Sequence, residues 1–241
     1  FISSYATFSP GRNNEQIRTT ISLNNLPVKV AGAHAGVSVG PDGATHQALE
    51  DIALMRAQPN MVVISPCDAI EAEKATVAAA FNGKPTYIRL GREKSPVFTT
   101  EAMPFEIGKA QILRQGKDVT IIACGPLAYE ALLAAEKLKK EGIDAEVINN
   151  HTIKPLDQKT ILASAKKTGA VVTVEEHQIM GGMGSAVAEV LVQNFTVPME
   201  MIGMKDQFGQ SGTPDELLNF FGLTYPFIIK AVKKVIKRKI K

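Results

Sequence analysis

The sequence predicts an α/β protein built as two doubly wound sheet domains in tandem. Three observations carry this expectation. Short runs rich in Val, Ile and Ala alternate with helical segments along nearly the whole chain, which requires parallel strands covered on both faces. The alternation lapses once, between Glu93 and Phe105, where Lys, Ser, Thr, Pro96 and Pro104 interrupt it before it restarts. A length of 241 residues with 45% hydrophobic and 21% charged content suits one large or two ordinary globular domains. The expected units are residues 1–98 and 106–241.

In the first unit, Phe1 to Ala6 reads as a strand with Tyr5 and Phe8 at its exit, and Gly11-Arg12-Asn13-Asn14 as a turn into a helix over Glu15 to Ile21. Val28 to Ala33 is a buried strand. It opens into a glycine-rich loop from His34 onward. A helix is expected from His46 to Ala57, with Leu49, Ile52, Ala53 and Arg56 at helical spacing and Pro59 stopping it. A strand over Met61 to Ser65, a helix over Ala69 to Phe81 and a strand over Thr86 to Leu90, ending at Gly91-Arg92, complete the unit. In the second, strands over Val119–Cys124, Ala145–Ile148, Ala170–Val174 and Met199–Ile202 alternate with helices over Leu127–Lys140, Asp157–Lys167 and Ser185–Gln193. Helices over Pro214–Phe221 and from Pro226 onward close the chain.

Composition excludes several classes. Cys67 and Cys124 are the only cysteines, each beside strand-like apolar residues, so no disulfide framework or thiolate metal cage is available, and both are expected to be reduced and buried. No apolar run is long enough to span a bilayer, and the first residues lack the basic region and cleavage site of a signal peptide, so a cytoplasmic protein is expected. The chain begins without Met on a strand-like run, so part of the natural protein is expected upstream. Of 27 Lys and Arg, seven fall between Lys230 and Lys241, leaving 20 against 24 Asp and Glu in the body. That basic stretch alternates apolar and charged positions at helical spacing, which reads as the solvated face of a packed helix, not a nucleic-acid or membrane patch.

The chemistry-bearing residues gather on the loop. His34 stands at the C-terminal end of a parallel strand, the edge where open α/β sheets bind ligands. Asp42 lies in Gly40-Pro41-Asp42-Gly43, which is also a good β-turn. His46 is expected to open the following helix with Thr45 as its N-cap, the positive helix end favouring a neutral imidazole. Two histidines and a carboxylate are common metal ligands, but flanking glycines suit a loop wrapped around a polar substrate, and a proton-handling set is the preferred reading. Arg92 ends a strand on the same edge and suits a phosphate or carboxylate. Tyr5 and Phe8 suit stacking on a planar ring or packing in a core. Gly181-Gly182-Met183-Gly184-Ser185 follows a strand and opens a helix, yet lacks the full dinucleotide fingerprint, and close strand-to-helix packing accounts for its glycines.

Taken together, His34, Gly40-Pro41-Asp42-Gly43-Ala44-Thr45-His46-Gln47, Glu50-Asp51, Leu54-Met55-Arg56, Pro59-Asn60-Met61 and Pro66-Cys67-Asp68 resemble transketolase, most closely the C-terminal subunit of its split form. Glu175-Glu176-His177, the Gly181 to Ser185 run and Thr152-Ile153-Lys154-Pro155-Leu156-Asp157 are similar to signatures of that family's last domain. The resemblance implies a thiamine-diphosphate-binding fold of pyrimidine type over residues 1–98, truncated at its N-terminus, and a transketolase C-terminal domain over 106–241. It implies that His34 and His46 lie beside the thiazolium and handle protons of the donor sugar, and that Asp42 hydrogen-bonds a donor hydroxyl. By the same resemblance Arg92 binds the sugar phosphate, and Phe8, with Tyr5 near it, surrounds the aminopyrimidine ring. The implied reaction is transfer of a two-carbon ketol unit from a ketose phosphate to an aldose phosphate, with thiamine diphosphate as cofactor.

The family's activating glutamate lies upstream of the stretch matching Phe1, and its magnesium and diphosphate site lies in another domain. The chain alone is therefore expected to be inactive and to need an N-terminal, diphosphate-binding subunit, within a homodimer or heterotetramer. The neighbouring alternatives are 1-deoxyxylulose-5-phosphate synthase and the β subunit of a 2-oxoacid dehydrogenase. Outside catalysis, the alternative is an idle interaction subunit that keeps the fold.

Overall fold

The computed structural model describes residues 1–239. Two five-stranded sheets organise them. The first has the order β1 (Ile2–Tyr5), β2 (Lys29–Ala33), β4 (Thr86–Arg89), β3 (Val62–Ile64), β8 (Thr152–Lys154). All its pairings are parallel except that of β8, which runs antiparallel to β3. The second has the order β10 (Met199–Met204), β9 (Val171–Gln178), β6 (Val119–Ala123), β7 (Ala145–Asn149), β5 (Gln111–Arg114), with β5 antiparallel to β7. The expected α/β architecture is present, with one antiparallel edge strand added to each otherwise parallel sheet.

Every residue of β4, β6 and β7 is buried, as central strands covered on both faces require. In the first unit a short helix, α1 (Asn14–Gln16), continues into wider helical turns over Ile17–Ser22, and α2 (Asp51–Ala57) and α3 (Ala69–Phe81) follow. Asp68 caps α3 by accepting the Glu71 amide at 3.0 Å, and it also accepts the amides of Phe98 and Thr99 at 2.9 and 2.7 Å. One carboxylate thus starts a helix and ties down the irregular segment between the sheets, and these bonds hold its carboxyl below the ordinary range despite burial.

In the second unit α4 (Leu127–Lys140) and α8 (Tyr225–Ile236) pack together through Ala131, Ala135, Leu138, Ile228, Val232 and Val235, all buried. α5 (Gln158–Thr168) and α6 (Met183–Asn194) cover another part of the sheet, and α7 (Pro214–Phe220) lies over the loop after β2. The basic stretch at the end behaves as a helix face. Lys233 pairs with Glu141, and Lys234 and Arg238 pair with Glu200. Its last two residues, 240 and 241, lie outside the described residues. Cys67 and Cys124 are both free and buried.

Three expectations change. The helix after the loop begins at Asp51, not His46; residues 44–46 form a turn, and the Thr45 hydroxyl bonds the His46 ring at Nδ1 (2.9 Å) instead of capping a helix. No helix N-terminus therefore stands at His46. The strands β5 and β8, four and three residues long, carry no alternation of their own and went unread. β8 follows the interrupted segment in sequence but belongs by hydrogen bonding to the first sheet. Among the described residues no helix is long and apolar enough to cross a membrane.

Candidate active site

The site is built where β1 and β2 end. Tyr5 closes β1 in register with Ala33, and the Ala6 amide donates to Ala33 O at 2.7 Å, so the chain leaving β1 runs beside the chain entering the loop. His34 follows with a φ of 54°, in the left-handed region that a non-glycine residue enters only when its surroundings hold it there. Its ring lies against Tyr5, centroids 4.2 Å apart. The His46 ring meets Tyr5 and Phe8 edge-on at 5.6 and 5.5 Å, and Tyr5 and Phe8 are 5.9 Å apart. Four rings named from the sequence thus form one group at the carboxyl edge of the first sheet. All four are half-buried. The Arg12 guanidinium covers Phe8 at 4.7 Å, a contact that sequence reading missed.

Between the two imidazoles the backbone folds into tight 3₁₀ turns over Val37–Asp42. The Arg92 guanidinium donates from Nη1 to Val39 O at 2.6 Å and stands 3.9 Å from the Asp42 carboxylate, with Glu93 at 3.8 Å. Asp42 and Arg92 are exposed and form a second group, joined to the ring group through the three loop residues between Asp42 and His46. Among the described residues no three His, Cys, Asp or Glu side chains are grouped to hold a metal ion, so the His34, Asp42 and His46 side chains do not make a metal centre here.

The residues behind the loop are charged and buried. Arg89, at the end of β4, donates to Asp51 Oδ2 at 2.8 Å and to Glu176 O at 2.7 Å, and the Tyr87 hydroxyl donates to the same Asp51 oxygen at 2.7 Å. Successive residues of β9 face opposite ways. Glu175 accepts the Met183 and Gly184 amides at 2.7 and 2.8 Å, while Glu176 accepts the Ser38 amide at 2.6 Å. Burial pushes the Glu175 carboxyl up to about 7, against those two amide bonds, and raises Glu176 as well. Gly182 and Gly184 sit where a Cβ would meet Glu175 and Thr173, so close packing accounts for the glycine run, as expected. The signal for this buried set was in the sequence: three ionisable residues, Glu175-Glu176-His177, continuing an apolar strand.

Residues 1–97 match the transketolase pyrimidine binding domain, and residues 108–228 match the transketolase C-terminal domain. The chain belongs to the transketolase family. It is 42% identical over 239 residues to a 6-deoxy-6-sulfo-D-fructose transketolase subunit of Clostridium sp. strain MSTE9, covering 99% of this chain and 74% of that one. It is 44% identical over 242 residues to a putative transketolase C-terminal section of Methanocaldococcus jannaschii, covering 99% and 76%. Among solved structures, a split-gene transketolase in the form of an inactive β4 tetramer superposes with a TM-score of 0.93 at 45% identity, covering 99% of this chain and 76% of that one. A transketolase of Campylobacter jejuni shares the fold at a TM-score of 0.76 and 23% identity, with this chain spanning 35% of it.

Proposed function

We propose that this chain is the C-terminal part of a thiamine-diphosphate-dependent transketolase, moving a two-carbon ketol unit from a ketose phosphate to an aldose phosphate in complex with a diphosphate-binding subunit. The observation that carries the reading is the group of Tyr5, Phe8, His34 and His46 rings, in which Tyr5 lies 4.2 to 5.9 Å from each of the other three, beside the Asp42–Arg92 pair on one sheet edge. Names among the relatives support the split arrangement and point to sugars with anionic tails.

The residues present suit the pyrimidine end of that cofactor. Tyr5 and Phe8 offer aromatic surface to a planar ring. His34 Nδ1 is shielded and has no hydrogen-bond partner among the described residues, so it is free to address a bound group. When bound, thiamine diphosphate supplies an electron sink for breaking and making the carbon–carbon bond. This chain's own residues do the positioning and proton traffic. His34 and His46 accept and return the protons of the sugar hydroxyls, Asp42 accepts a hydrogen bond from a donor hydroxyl, and Arg92 holds the anionic tail. Magnesium and the diphosphate would be held by the partner subunit.

The test is reconstitution. The chain is mixed with a diphosphate-binding transketolase subunit, thiamine diphosphate and magnesium, and assayed against a panel of ketose and aldose phosphates. Ketol transfer in the mixture and not with either chain alone supports the reading; turnover by this chain alone, or none in any pairing, overturns it.

A further inference from the structure

The loop from Gly36 to Gln47 carries Asp42 and His46; Arg92 and Ala48 of its own unit hold it at Val39 O and Gly36 N, and further anchors reach it from the second unit. Glu176, near the end of β9, is 4% exposed and takes the Ser38 amide on Oε1 at 2.6 Å. Its own carbonyl is fixed by Arg89 at 2.7 Å, so neither end of the residue is free to drift. Gln47, 3% exposed, directs Nε2 at Val37 O (3.1 Å), Gly40 O (3.2 Å) and, across from the other unit, Gln210 O (2.9 Å). Ser211, Gly212 and Pro214 then press on the glycines. A Cβ on Gly43 would stand 2.6 Å from Ser211 Oγ, and one on Gly40 would stand 3.3 Å from Gly212 O. A loop this rich in glycine has many conformations to lose, and the contacts from the second unit add to those of its own unit in selecting one.

We propose that Glu176 and Gln47 are positioning residues, through which the second unit fixes the loop and so sets where Asp42 and His46 stand relative to Tyr5, Phe8 and His34. The catalytic consequence rests on the ketol-transfer reading; the geometric one does not. Both residues are buried and act through backbone groups of the loop. Arg89, at the end of β4 in the first sheet, faces Glu176 across the two units, with Asp51 facing that same guanidinium.

The test uses three variants of the full chain, Glu176→Ala, Glu176→Gln and Gln47→Ala, read in two ways. In the first, imidazole resonances of His34, His46 and His151 are recorded on the chain alone, His151 serving as the remote reference. Glu176→Ala should displace the His46 resonances out of the ring currents of Tyr5 and Phe8 and leave His151 unmoved. Glu176→Gln, which keeps an acceptor oxygen for the Ser38 amide, should restore them. In the second, kcat and KM are measured in the reconstituted complex. Displacing the loop by an ångström should lower kcat/KM for the ketose donor by about 10²-fold in Glu176→Ala, with most of the loss recovered in Glu176→Gln. If Glu176→Ala does not fold, Gln47→Ala carries the same expectation on both readouts. A folded alanine variant with unmoved His46 resonances and wild-type kcat/KM overturns the proposal. A wild-type complex without ketol transfer removes the functional reading instead, and the His46 resonances still decide the positioning.

Discussion

Arg89 and Asp51 form an ion pair at 2.8 Å with side chains 5% and 1% exposed. The pair joins the last residue of β4 to the first residue of α2, and Arg89 continues to the carbonyl of Glu176 in the other unit. Burial of two charges is costly, and the pair offsets it only while both members remain. Asp51→Ala leaves an uncompensated guanidinium inside the molecule and is expected to cost about 3–5 kcal/mol, read from the shift of the denaturant midpoint. Replacing both partners with apolar residues, Asp51→Leu with Arg89→Met, should cost less than Asp51→Ala alone.

Gly36 has a φ of 92°, and a Cβ there would run into the Glu176 carboxyl. Gly83 has a φ of 65° with open space around it. Alanine at Gly83 should show the backbone cost alone, about 1–2 kcal/mol. Alanine at Gly36 should cost clearly more, because overpacking adds about 1–3 kcal/mol. Equal falls in Tm for the two variants would contradict the collision.

For the site residues the expectation is functional loss without unfolding, since His46 is half-buried and Arg92 exposed. In the reconstituted complex His46→Ala should lower kcat by about 10²–10⁴-fold, the usual contribution of a positioned proton carrier. Arg92→Ala should act chiefly on KM for phosphorylated substrates and little on KM for an unphosphorylated ketose. Steady-state kinetics on matched substrates, with Tm recorded beside them, separate these outcomes.

Two buried groups give opposite pH dependences. His151, stacked on Phe105 at 4.3 Å, is pushed by burial from 6.5 down to about 4. The folded protein therefore binds fewer protons than the unfolded chain between those values, and stability is lost as pH falls through that window. Glu175 is raised from 4.5 to about 7, so the folded protein binds more protons there, and stability is lost as pH rises through it. Stability curves from pH 4 to 8 should show His151→Gln losing the acid-side decline, while a carboxyl-carbon NMR titration of Glu175 should give a midpoint near 7.

Most of the fold was legible because buried parallel strands and amphipathic helices leave periodic patterns. The long elements α3, α4, α5 and α6 lie close to where the periodicity puts them. β5 and β8 are too short to carry a period, and what makes them strands is the edge they meet. His46 was placed on a helix because Thr45 suits an N-cap; the side chain spends that capacity on the neighbouring ring instead. The candidate residues His34, Asp42 and His46 were legible as types on one loop, and the structure brings the two imidazoles together with Tyr5 and Phe8. What spacing cannot show is the set from far along the chain, Glu176, Gln210 and Ser211, since their approach depends on how two sheets dock.

The antiparallel strand β8 pairs with β3 although more than eighty residues, including three strands of the second sheet, separate them in the chain. Cutting the polypeptide in the proline-containing segment after Glu93 would strip that border from the first sheet and bare the amides of β3 for pairing with other molecules. The two halves are stitched rather than merely adjacent, so fragments divided at that point should clump when expressed separately, and an evolutionary shuffle that respected only the visible linker would break the seam.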